Sequence, residues 1–256
     1  MESLLEKLVR NTGPKMSIPL LISSKTNPIK TKFSPLLELD KTKKYEMALV
    51  NLETYYSFPN IDSANNNFKY SHDNGITWFN INIPEGCYEF TSINKYIQRI
   101  MKDNGHYDSA GDSYSITLEP NRNTLKAVMN IRPNFKVDFT TPNSIRTVLG
   151  FDSQVFSEGH NESDNIVNIM SVNSLRVTSD IIGSSYTNGG TENIIYSFFP
   201  NVGPGYKIVQ KPVNLIYLPI TLSTISQMET KLIDQNGELI DNRGEKIAIR
   251  LHIKEA

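Results

Sequence analysis

The sequence predicts an all-β chain, a sandwich or jelly roll with two short helices in its body. Three observations lead there. About a dozen short apolar stretches follow one another, most of them with the period-two alternation of strands. They are separated by turn formers such as Asp73-Asn74-Gly75, Gly203-Pro204-Gly205 and Asn236-Gly237. Tyr and Phe, 12 and 11 residues, are plentiful, and aromatic side chains favour strands. At 256 residues, 38% of them hydrophobic, the chain is long enough to bury a substantial core.

The elements follow in order. Residues 2–10 read as a short helix, because Leu4, Leu5, Leu8 and Val9 share one face and Gly13-Pro14 ends it. A helix this short is marginal in water. Residues 1–15 are therefore expected to form an arm that docks on the body of the chain or on a neighbour. Residues 17–23, 32–39 and 45–56 read as strands. In the third, Met47 and Leu49 point one way while Ala48, Val50 and Leu52 point the other, as in a strand buried on both faces. Residues 68–71 and 77–83 flank Asp73-Asn74-Gly75 as a hairpin, with Phe79, Ile81 and Ile83 on the apolar face.

The period then changes. Ile93, Ile97, Ile100 and Met101 form a helical face over residues 92–103, with Thr91 or Ser92 as the expected cap and Asn104-Gly105 as the end. Residues 114–118 and 125–131 read as a hairpin, and 135–139 as a strand. Thr141-Pro142 opens a second short helix with Ile145, Val148 and Leu149 inward, closed by Gly150. Residues 151–165 are polar and read as a surface loop. Residues 175–181 alternate as a half-exposed strand, 183–192 read as a loop, and 193–199, 206–210 and 213–219 as strands. Asn236-Gly237 predicts a type I′ hairpin turn with both residues at positive φ. Ile247, Ile249, Leu251 and Ile253 give the last strand a buried face, with Arg250 and His252 turned away. No repeat of 20–50 residues and no low-complexity linker interrupts this series.

Composition narrows the function. Lys plus Arg is 26 and Asp plus Glu 27, a net charge of −1, which excludes a polybasic nucleic-acid binder. No apolar run approaches the roughly 20 residues that span a bilayer. The N-terminal residues are amphipathic and of mixed charge, so no secretory signal is expected. Cys87 is the single cysteine, so there is no internal disulfide framework, which is compatible with a reducing compartment.

The motifs that carry chemistry are missing. There is no G-x-x-x-x-G-K phosphate loop, no G-x-G-x-x-G and no G-x-S-x-G. Gly203-Pro204-Gly205 comes nearest to a phosphate cradle, but its proline removes a donor. His72, His106, His160 and His252 are scattered, with no metal-ligand spacing. Cys87 reads as a small half-buried side chain; a catalytic thiol would need a His or a helix N-terminus beside it, and the helix near residue 92 is close in sequence. Asp234, Asn236, Glu238 and Asp241 miss the calcium-loop pattern, because Gly237 stands fourth where the sixth position is needed. Asn161-Glu162-Ser163 is a glycosylation sequon, with meaning only in a secreted protein. No catalytic, cofactor-binding or metal residue is assigned, and an enzyme is not expected.

Several segments carry a resemblance. Tyr45-Glu46-Met47-Ala48-Leu49 is followed by Gly86-Cys87-Tyr88, Ile93-Asn94 and Ile97. Then come Leu149-Gly150-Phe151, Gly203-Pro204-Gly205-Tyr206, Ile216-Tyr217-Leu218-Pro219 and Ile249-Arg250-Leu251-His252-Ile253. In this order and spacing, from about residue 34 to the C-terminus, the chain resembles the penton, or minor capsid, proteins of Polinton/Maverick transposable elements and related adintovirus-like viruses. The resemblance implies a jelly-roll capsid domain over residues 16–256, with long loops, preceded by the arm 1–15. It implies a structural virion protein that forms homopentamers at the five-fold vertices of an icosahedral capsid. A double jelly-roll major capsid protein would be its neighbour, with no membrane and no specific nucleic acid as partners. Such a protein is made inside the host cell, without a signal peptide. The family has no catalytic motif to carry over. The competing reading of the same residues is a monomeric β-sandwich module that binds a glycan or a protein ligand.

Overall fold

The structure is a computed structural model that describes residues 16–170, 172–183, 185–187 and 189–256. The helix expected over residues 2–10 lies outside the described residues.

The chain divides into two units, one made of the N-terminal part through Tyr56 together with Asn173–Ala256, the other of Ser57–Val172. The first begins with β1 (Ser17–Ser24), β2 (Ile29–Glu38) and β3 (Tyr45–Tyr55). The second unit follows as one continuous stretch. It holds β4 (Asn67–Ser71), β5 (Trp78–Asn82), α1 (Phe90–Asp103), β6 (Tyr107–Asp108), β7 (Ser113–Tyr114), β8 (Ile116–Asn121) and β9 (Lys126–Ile131). It ends with β10 (Lys136–Asp138), α2 (Arg146–Leu149), β11 (Val155–Phe156) and β12 (Gly159–Ile166). The chain then returns to the first unit with β13 (Leu175–Ser179), β14 (Ser185–Thr187), β15 (Gly190–Glu192) and β16 (Ile194–Phe198). It closes with β17 (Lys207–Gln210), β18 (Leu218–Pro219), β19 (Thr224–Ile233) and β20 (Ile247–Glu255).

Strand order defines the first unit. One sheet runs β1-β20-β3-β17, with β18 also pairing β3; the other runs β16-β13-β19-β2. All the pairings are antiparallel. Counting β17 and β18 as one interrupted strand and setting aside the β14–β15 hairpin, the sheets contain strands 1-8-3-6 and 5-4-7-2 of the unit. Eight antiparallel strands wound between two sheets in this way are a jelly roll, so the chain is the all-β jelly-roll type that the alternation predicts.

The inner faces come from simple alternation in most strands. Ile247, Ile249, Leu251 and Ile253 of β20 are at most 1% exposed, while Arg250 is exposed. Leu175 and Val177 of β13 are fully buried between half-buried Arg176 and Thr178. Each such aliphatic side chain contributes about 1.5–3 kcal/mol by leaving water. Strand β3 departs from the pattern. Arg250 pairs with Asn51 and Leu251 with Leu49, so Val50 has no partner and forms a bulge. The extra residue resets the parity, and Met47, Leu49, Leu52 and Thr54 are all buried. The expected division of Leu49 and Leu52 between opposite faces is thereby corrected.

The second unit has two sheets, β11-β10-β4-β5 and β12-β9-β8, and the β6–β7 hairpin. Its core joins Phe68, Tyr70 and Ile81 of the β4–β5 hairpin to Ile93, Ile97 and Met101 of α1. Phe139, Phe151 and Phe156 pack as a triangle with centroids 5.1–5.7 Å apart. Asn94 fixes α1 to β8 by accepting the Leu118 N–H at 3.0 Å. Helix α1 starts earlier than expected, at Phe90, with Glu89 as N-cap and no side-chain cap, and Phe90 itself is buried against the core. Helix α2 is only Arg146–Leu149, and Gly150 ends it at φ 84 as expected.

Three expected irregular or extended stretches differ. Residues 151–165 include β11 and most of β12, which pairs with β9. Only Ser163 of β12 is buried, so there is no apolar alternation to reveal the strand; backbone pairing and Ser163 hold it, through the Ala127 N–H at 3.0 Å and the Asn165 C=O at 2.7 Å. Residues 183–192 contain the β14–β15 hairpin. Of residues 213–219, only Leu218 and Pro219 are in a strand.

The Asn236-Gly237 turn also differs from type I′. Gly237 donates to the Asp234 C=O at 3.2 Å, and of the two residues only Gly237 has positive φ, 87°. The Asp234 carboxylate decides this: Oδ1 accepts the N–H groups of Asn236 at 2.8 Å and Glu238 at 2.9 Å. The result is a three-residue loop with Gly237 as its left-handed residue, the G1-bulge form.

Candidate assembly surface

The exposed large apolar side chains are densest between residues 186 and 216, along the sheet edges formed by β16 and by β17 with β18. The sixth jelly-roll strand creates this surface by breaking. Strand β17 pairs with Leu52–Tyr55 of β3 and β18 with Met47 and Glu46, so residues 211–217 stand against only residues 48–51. Pro212 has no N–H to give the ladder. The surplus chain loops out and presents Val213, Leu215 and Ile216, which are 98%, 41% and 67% exposed. Tyr217 ends the excursion, its hydroxyl on His252 Nδ1 at 2.7 Å and its ring 3.9 Å from Lys254 Nζ.

Beside this excursion lies a cleft of about 580 Å³. Tyr186, Ile194 and Tyr196 line one side, Ile216 and Leu218 the other. Arg176, also in the lining, faces Glu192 at 3.6 Å. Phe199, Tyr206 and Val209, on the way from β16 into β17, are also exposed. Exposed apolar patches with polar rims mark protein or membrane contact sites or ligand-binding grooves.

Most of the residues singled out in the sequence have partners of their own in the fold. Cys87 directs its thiol to the Phe58 carbonyl at 2.9 Å. Asp234, Asn236 and Glu238 serve the hairpin turn. The sequon's Ser163 is buried and hydrogen bonded. Gly205 belongs to a turn, donating to the Tyr56 C=O at 2.8 Å. Among the described residues no group of three or more His, Cys, Asp or Glu side chains is placed to hold a metal ion, and no helix is long and apolar enough to cross a membrane.

The fold does bring two of the scattered histidines together. The rings of His72 and His106 lie 4.2 Å apart, with Phe79 at 4.8 Å from His106. The Tyr70 hydroxyl meets His106 Nδ1 at 2.9 Å and accepts from Asn104 at 2.9 Å. Burial pushes the His106 imidazole below its ordinary range; His72 acts in the same direction and Asp73 against it. The Thr77 backbone N–H, at 2.7 Å, holds the Asp73 carboxyl well below the usual carboxylate range.

No family model matches this chain, and no curated protein matches it. Among solved structures it is similar to the crystal structure of selenomethionine-labelled mavirus penton protein. The likeness covers 94% of this chain and 100% of that chain, at 13% identity and a TM-score of 0.49. The jelly-roll assignment rests on the strand order described above.

Proposed function

We propose that this chain is a structural capsid protein, a penton capsomer that forms homopentamers at the five-fold vertices of an icosahedral capsid. One observation carries the reading. The segments that give the sequence its penton resemblance are far apart in the chain, yet three of them are neighbours in one sheet. Tyr45–Leu49 lies in β3, Leu218-Pro219 forms β18 and pairs with Met47 and Glu46, and Ile249–Ile253 lies in β20 and pairs with the other side of β3. The resemblance therefore follows a structural unit of the jelly roll.

The mechanism is geometric. A head-to-tail ring needs two different, complementary flanks on each subunit. The sandwich has them: β1 and β2 end the two sheets on one flank, and β17 and β16 end them on the other. On this reading residues 16–256 act together as the capsid domain, with Ser57–Val172 as a β module inserted in the jelly roll. The neighbours are further copies of the chain and a double jelly-roll major capsid protein, and the location is the virion. No membrane, nucleic acid, cofactor or catalysis enters the role.

Light scattering on the purified chain, alone and mixed with a double jelly-roll major capsid protein, tests the proposal. A five-fold multiple of the 29.0 kDa chain mass, and incorporation at vertices of assembled particles, is the expected result. A monomer that ignores the capsid protein and binds an arrayed glycan instead establishes the binding-module reading.

A further inference from the structure

We infer that the cleft between β16 and β18 receives residues 1–15 of a neighbouring copy of this chain. The inference rests on the ring reading and names the contact that closes it. The cleft is apolar, open and on one flank of the jelly roll. The chain enters the described body at Met16, beside β1, which ends its sheet on the opposite flank. The preceding 15 residues include Leu4, Leu5, Leu8 and Val9, which need cover from water.

The route to the cleft of the same copy is unfavourable. It crosses the outer faces of β20 and β3, which carry Arg250, His252 and Lys254, the Lys254–Glu46 ion pair at 3.1 Å and the Lys207–Glu53 pair at 2.5 Å. The apolar face of that segment, Leu4, Leu5, Leu8 and Val9, laid there would desolvate charged groups without replacing their partners. Head-to-tail packing removes the problem. It brings the β1 flank of one copy to the β16 and β18 flank of the next, so the arm reaches an apolar cleft without crossing the polar face. Ile216, 67% exposed in isolation, then gains cover.

Crosslinking tests this in the full-length chain. Cys87→Ser supplies the background, and Leu8→Cys and Ile216→Cys are introduced together and also in separate chains that are then mixed. Circular dichroism checks folding, and light scattering reports the ring before oxidation. The expected result is a ladder of inter-chain disulfides up to the pentamer for the double variant, and hetero-dimers from the mixed single variants. Crosslinks only within one chain overturn the inference. A ring that forms no disulfide between positions 8 and 216 overturns it too, while the ring reading stands. A monomer before oxidation overturns both. As a second arm, Ile216→Asp is expected to weaken ring formation at least tenfold without changing the melting temperature of the subunit. A ring unaffected by Ile216→Asp also overturns the inference.

Discussion

Tyr217 places its hydroxyl 2.7 Å from His252 Nδ1, and the other ring nitrogen of His252 lies 2.7 Å from Ser17 Oγ. One imidazole thus ties the end of the 211–217 excursion to the middle of the sheet and to β1. Tyr217→Phe removes one hydrogen bond and keeps the ring beside Lys254. The expected loss is about 0.5–1.5 kcal/mol in urea unfolding. Loss of the whole ring in Tyr217→Ala is expected to exceed this and to increase proteolytic nicking at residues 211–216. Equal stability of the two variants would mean that the ring, with its cation contact, contributes nothing.

Leu251 is fully buried at the centre of β20, and Arg250 beside it is exposed. Leu251→Ala is expected to cost about 2–5 kcal/mol. Arg250→Ala should stay within roughly 0.5 kcal/mol. Denaturant midpoints at constant m-value check both, and similar losses for the two would contradict the facing of the strand.

Two glycines make a paired test. Gly150 has φ 84, and a Cβ there would stand 2.3 Å from the Asn165 carbonyl oxygen. Gly237 has φ 87 with nothing within 4 Å of its Cβ position. Gly237→Ala should cost only the left-handed backbone penalty, about 1–2 kcal/mol. Gly150→Ala should cost clearly more, because the Asn165 backbone must shift. Thermal unfolding of the two variants side by side measures the difference. Asn236→Ala should cost only its side-chain hydrogen bond to Asp234 Oδ2 at 3.2 Å, about 0.5–1.5 kcal/mol, whereas a type I′ turn would make the backbone of that position sensitive as well.

The His72–His106 pair predicts a pH dependence. The folded His106 has a lower pKa than its ordinary 6.5. Between those two values the unfolded chain binds more protons, so stability rises with pH. The contribution is whole above about pH 6.5 and is lost as pH falls from there through the folded value. Urea unfolding at pH 7.5, 6.5 and 5.5, with NMR titration of the His106 ring, measures this. A His106 titrating at or above 6.5 would refute it. Further loss is expected as pH falls below about 4, where the unfolded chain protonates Asp73 and Asp138 while the fold holds both carboxyls ionised.

Much of the fold is legible in local pattern. Ile247 to Ile253 alternate with period two and are buried accordingly; Ile93, Ile97 and Met101 repeat with the helical period and form the inner face of α1. Burial on one side of a regular element imposes that element's period on the side chains, so the sequence alone determines the all-β class, the helix and most core positions. Tertiary structure decided the rest. Strand β12 is polar, and pairing with β9 makes it a strand, since backbone hydrogen bonds are the same for every non-proline residue and leave no side-chain signature. The bulge at Val50 puts Leu49 and Leu52 on one face because β20 pairs past it. Tyr186 and Ile216 meet in one cleft, and His72 and His106 stack, only because the sheets bring distant segments together. Period is a property of one segment and can be read along it; register and pairing belong to two segments at once and exist only when the chain is folded.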